Sequence, residues 1–232
     1  MALRSALLAA ALFAGLSGPA AWATTTLTPA AAQRAAETLL KALSQRNSQV
    51  IYEQLAPELR QATTADKVNL RLQNQEKILG SKVLEVVSGI DDSTVDAELT
   101  TPSGVRKITL VFDERGRLLA WEWERTNTPI RQIATSFVRA MSRGEVVSAR
   151  SLLSLDLQEQ ISAQELTNRW QNLEKRTGSF VQIRGSLLAS EGGDQQLVLV
   201  TTQFSRLTDN LFVILDSAGH IIGIDFPTTP PR

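Results

Sequence analysis

His220 is the only imidazole of the 232-residue chain and Tyr52 its only phenol, so acid–base chemistry by either type of group has one place each to occur. His220 directly follows Gly219 and stands opposite Arg117 in an internal repeat. A position that accepts arginine is expected to face solvent, so a structural or neutral role is expected of His220. Tyr52 stands opposite Arg150 and is expected to be partly exposed for the same reason. Asp91 and Asp92 are adjacent carboxylates between two expected strands and read as a hairpin tip. A calcium loop would need further oxygen ligands at fixed spacing, which their neighbours do not supply.

The chain has no cysteine. Disulfides, thiolate catalysis, zinc–thiolate sites and iron–sulfur clusters are therefore excluded, as is a lipid anchor on an N-terminal cysteine. Beyond the leader no G-x-S-x-G, H-E-x-x-H, P-loop or G-x-G-x-x-G pattern occurs. No catalytic residue, metal ligand or cofactor is assigned. Lys and Arg together number 24, as do Asp and Glu, so nucleic-acid or membrane-surface binding driven by bulk charge is not expected. What remains is aromatic: Trp121, Trp123 and Trp170 are the candidate contacts for a ligand or partner. Trp121 and Trp123 have Ile224 and Phe226 as repeat counterparts. They read either as core or interface filling or as the wall of an apolar ligand site. Trp170 is expected in the core.

The repeat positions these residues. Leu39, Leu40, Ala42, Leu43 and Ser44 align with Phe137, Val138, Ala140, Met141 and Ser142 at an offset of 98. The offset holds where Arg71–Gly80 (RLQNQEKILG) meets Arg169–Gly178 (RWQNLEKRTG). It becomes 103 where Phe112–Trp123 meets Leu215–Phe226. About five extra residues are thus expected in the second copy, assigned to the hairpin near Ser190–Gln195.

Each copy reads as three helices followed by about four antiparallel strands, an α+β arrangement with helices on one face of a curved sheet. Ala36, Leu39, Leu40 and Leu43 give the first helix one apolar face, and Ala134, Phe137, Val138 and Met141 repeat it. A second helix holds Leu55 and Leu59. The third starts at Thr64 or at Ser162, which with Glu165 fits a capping box, and ends at Gly80 or Gly178. Val95, Ala97 and Leu99, then Ile108, Leu110 and Phe112, alternate as strands. Leu119, Trp121 and Trp123 are expected on one face of the last.

The N-terminus supplies an address. Arg4, the apolar run Ala6–Leu16 and Ala21-Trp22-Ala23 make the pattern of a secretory signal peptide cleaved after Ala23. The expected organisation is a signal peptide at 1–23, repeat 1 at 33–124, a linker at 125–131 and repeat 2 at 130–227.

The second copy resembles the DUF3887 family, which is similar to a reduced NTF2-like cone. The resembling residues are Trp170-x-x-Leu173, Gly178-Ser179-Phe180, Phe204 and Leu215-Asp216-x-x-Gly219-x-Ile221-x-Gly223. The first copy departs from the pattern, with Leu72 for the tryptophan, Lys82 for the phenylalanine and Ala120 for the second glycine. The resemblance implies tandem NTF2-like domains, which commonly pair through their sheets, here as an intramolecular pseudo-dimer with Trp121 and Trp123 in the contact. The expected function is a non-catalytic exported module, periplasmic or secreted, that binds a small apolar molecule or a partner protein. The alternatives are an NTF2-like isomerase or dehydratase, marked by an acid deep in the cone, and a purely structural self-associating domain.

Overall fold

Pro29 can open a helix because the first N–H groups of a helix have no internal partner. Thr28 caps it, its hydroxyl accepting from the Ala31 N–H at 3.3 Å, and α1 runs Pro29–Ser44. The computed structural model describes residues 27–89, 91–124, 129–190 and 194–226. The expected leader and most of the expected linker, residues 125–128, lie outside the described residues.

The first copy continues with α2 (Ser48–Gln54), α3 (Pro57–Gln61), α4 (Ala65–Gln73), β1 (Gly80–Ser88), β2 (Asp92–Thr101), β3 (Gly104–Asp113) and β4 (Leu118–Trp123). The second repeats the order: α5 (Ile130–Ser142), α6 (Val146–Arg150), α7 (Leu155–Gln160), α8 (Ala163–Thr177), β5 (Phe180–Ser190), β6 (Gln195–Phe204), β7 (Thr208–Asp216) and β8 (Ile221–Asp225). Each half has a four-stranded antiparallel meander, β1-β2-β3-β4 and β5-β6-β7-β8. The α+β class and the two sheets match the expectation.

Among the described residues each copy has four helices rather than three. The expected second helix is cut at Leu55–Ala56, both extended, because the residue before Pro57 is pushed out of the helical region. The extended link lies beside the last strand, with the Ala56 N–H donating to the Leu118 carbonyl at 2.9 Å. The second copy repeats this, the Ser154 N–H donating to the Ile221 carbonyl at 2.9 Å.

The extra residues of the second copy are not in its hairpin. Val87 pairs with Thr94 and Ser190 with Leu197, so both arms already stand at the 103 offset. The additions enter earlier. Helix α4 stops at Gln73, whereas α8 runs on to Thr177, and β5 carries three bulges against one in β1. Gly80 is therefore a strand residue, not a helix cap. Gly178 does end its helix, at φ 90°, with its N–H on the Glu174 carbonyl. Ser162 caps α8, but Glu165 pairs with Arg169 instead of completing a capping box.

The inner face of each sheet is packed by its helices. Val95, Ala97, Leu99, Leu110 and Phe112 are fully buried, as are Leu39 and Leu40 of α1. A bulge between Val111 and Phe112 pairs Leu118 with Phe112 and Trp121 with Leu110. Leu118, not Leu119, thus shares the inner face with Trp121 and Trp123. The same bulge recurs between Ile214 and Leu215.

Candidate functional site

The two copies differ in how their interiors are filled. In the second, Trp170 projects from α8 between Phe180 and Phe204, with ring centroids 6.3 and 6.2 Å away, and is 5 % exposed. In the first, the corresponding positions hold Leu72 and Thr101, and Lys82 lies exposed on β1. Helix α4 is also six residues shorter than α8, 9 against 15. Smaller side chains and a shorter helix leave a cleft of about 980 Å³ between α4 and the inner face of β3–β4.

Leu39, Leu55, Ile108 and Leu110 form its floor and are nearly fully buried. The accessible wall is made by half-buried apolar side chains: Leu43, Val68, Trp121 and Trp123 from the first copy, Val147 and Leu152 from the second. The rim is polar. Lys67, Arg71, Glu76 and Arg106 come from the first copy, Arg143 and Glu145 from the segment joining α5 to α6. Arg106 lies over the Trp123 ring, 4.9 Å from its centroid, an attractive arrangement for a cation. Glu76 accepts from the Ser103 hydroxyl. Hydrogen bonds from Ser103 and Thr101 hold its carboxyl below its ordinary pKa.

The outer edge of β4 would present unpaired carbonyls. Three side chains of the second copy meet them in order. Arg150 donates from Nη1 to the Leu119 carbonyl at 2.8 Å, and Gln158 from Nε2 to Trp121 at 2.9 Å. The His220 ring reaches the Trp123 carbonyl with Nε2 at 3.2 Å. Between them the Leu155 N–H donates to Glu122 Oε2 at 3.0 Å. Arg150 is 4 % exposed, bonds the Gln158 and Ile161 carbonyls as well, and lies 3.6 Å from Glu58. Burial lowers its pKa, while attraction to Glu58 acts the other way. The contact thus sets the β4 edge of the first copy against α6, α7 and the β7–β8 turn of the second.

His220 is 8 % exposed, contrary to expectation. Its counterpart Arg117 explains the error. Each is the partner of its turn aspartate: Arg117 Nε donates to Asp113 Oδ2 at 2.7 Å, and His220 Nδ1 lies 3.2 Å from Asp216 Oδ2. A residue pinned to a turn in both copies need not be solvated in either. Glu122 is half-buried in the junction; Glu124 and Asp225 are exposed. Tyr52 is half-buried, its hydroxyl donating to the Arg60 carbonyl at 3.4 Å. Asp91 and Asp92 are exposed at the β1–β2 turn. Among the described residues no group of three or more His, Asp or Glu is placed to hold a metal ion.

Of the three candidate tryptophans, Trp121 and Trp123 line the cleft and Trp170 fills the opposite copy. Sequence reasoning missed Arg150, Gln158 and Glu122. The signal was present as mismatch: Arg150 replaces Tyr52 and Gln158 replaces Arg60 between copies that otherwise repeat. No family model, no curated protein and no solved structure matches the chain.

Proposed function

We propose that the chain is a non-catalytic exported module that holds a small apolar molecule in the cleft of its first copy. The observation that carries this reading is the contrast between the copies: rings fill the second, while the first keeps an open space walled by Trp121 and Trp123. Small-molecule sites commonly enclose roughly 300–1,000 Å³ with mostly apolar walls and a few polar groups, and the first cleft fits that description. In this reading the second copy is the support. It covers the β4 edge, from whose inner face the two indoles project, and fixes their direction.

The NTF2-like assignment belongs to the same proposal, supported by helices preceding an antiparallel meander, twice over. Export rests on the leader pattern. An isomerase or dehydratase would need an acid kept protonated in apolar surroundings. Glu76, on the rim, has its pKa shifted the opposite way, and neither His220 nor Tyr52 lines the cleft.

The test is a titration of the full chain with N-phenyl-1-naphthylamine, a neutral apolar fluorophore. Saturable uptake of one probe per chain, with energy transfer from tryptophan, is expected. A fluorescence that rises without saturating overturns the reading.

A further inference from the structure

We propose that the molecule held in this cleft is a single-chain amphiphile with an anionic head, its tail on the apolar wall and its head among the cations of the mouth. The inference rests on the reading of the cleft as a ligand site and adds the ligand's class.

Charge is distributed unevenly around the opening. The chain as a whole has equal numbers of cationic and acidic side chains, yet the cleft is bordered by Lys67, Arg71, Arg106 and Arg143 against only Glu76 and Glu145. All four cations are exposed, whereas Leu43, Val68, Trp121 and Trp123 on the wall are half-buried. Lys67 donates from Nζ to the Gly144 carbonyl at 2.9 Å, and Arg106 lies over Trp123. The guanidinium groups of Arg71 and Arg143 have no hydrogen-bond or ion-pair partner among the described residues. Glu76, tied to the Ser103 hydroxyl, feels the charge of Arg106 but pairs with neither Arg71 nor Arg143. Guanidinium presents a planar fork that matches carboxylate or phosphate oxygens. Arg71 comes from α4 and Arg143 from the end of α5, so the mouth is built by both copies. An apolar wall with unpaired guanidinium groups on its rim is complementary to a tail with an anionic end.

The experiment measures affinity of the full chain for dodecanoate, dodecyl phosphate and dodecan-1-ol by calorimetry at neutral pH. Both anions should bind about tenfold or more tightly than the alcohol, the scale of one charge-assisted contact. In an Arg71→Gln/Arg143→Gln variant that preference should collapse toward unity. The charge reversal Arg143→Glu should shift the order in favour of the alcohol. The ratio of the two anions separates a carboxylate head from a phosphate head. Equal affinity for anion and alcohol in the unsubstituted chain overturns the head-group inference but leaves the apolar site intact. Failure of all three to bind overturns the site and the inference together.

Discussion

Arg150 is the residue on which the junction turns. It is nearly fully buried and donates to three backbone carbonyls, Leu119 from the first copy and Gln158 and Ile161 from its own. A guanidinium suits this because its donors diverge in one plane, so one side chain can satisfy several acceptors. Arg150→Ala should lower stability by on the order of 3 kcal/mol, since buried carbonyls lose their donors and Glu58 its partner. Arg150→Lys should recover only part, because an ammonium cannot reproduce the fork. Urea denaturation measures both; a loss below about 1 kcal/mol for the alanine variant would place the side chain in solvent. Trp170 makes the corresponding test of the second interior. Trp170→Ala should cost about 3–5 kcal/mol by opening a cavity between Phe180 and Phe204. A much smaller loss in the same assay would mean the rings do not pack as described.

At the scale of elements, the end of the fourth helix, α4 in one copy and α8 in the other, separates the copies. Gly178 has φ 90°, and a Cβ there would collide with Ser205 Oγ and lie 2.9 Å from the Arg206 backbone nitrogen. Gly80 has no such φ, and a Cβ would meet nothing closer than 3.8 Å. Gly178→Ala should therefore destabilise by roughly 1–3 kcal/mol, with Gly80→Ala within about 0.5 kcal/mol of neutral. Equal effects on the melting midpoint would restore Gly80 as a helix cap. In the sequence the two glycines look alike, because identity at one offset hides a change of local structure. Strand alternation was legible: Val95, Ala97 and Leu99 are apolar, alternate with polar neighbours and are buried as expected. The helix count was not, because a turn of helix broken by Pro57 keeps its apolar spacing at Leu55 and Leu59. The bulge at Val111 was not legible either, since it depends on how β3 and β4 are paired. The cleft was half legible. Trp121 and Trp123 stand out by type, and Leu72 stands where the second copy has Trp170. That this difference leaves space required knowing which residues face one another across the interior. The junction depended wholly on tertiary contact, because Arg150, Gln158 and His220 converge on one strand edge from three separate elements.

For the whole molecule, one element order used twice gives two interiors, one filled by rings and one open. The filled copy covers the edge of the open one, so stability and an accessible apolar wall are divided between them. Export is part of the same reading, and intact-mass measurement of the protein recovered from an expressing bacterium should find Thr24 at its N-terminus. Retention of Met1 on the recovered protein would contradict it. The central claim is that the first interior is open because its filling residues are small, and that this space takes the ligand. It is tested most directly by giving the first copy the residues of the second. The Leu72→Trp/Thr101→Phe variant and the unsubstituted chain are titrated side by side with dodecanoate in a calorimeter, with circular dichroism confirming that both are folded. The unsubstituted chain should bind one dodecanoate saturably, and the folded variant should lose at least about tenfold in affinity, the loss a blocked pocket entails. Undiminished binding by the folded variant would contradict the account.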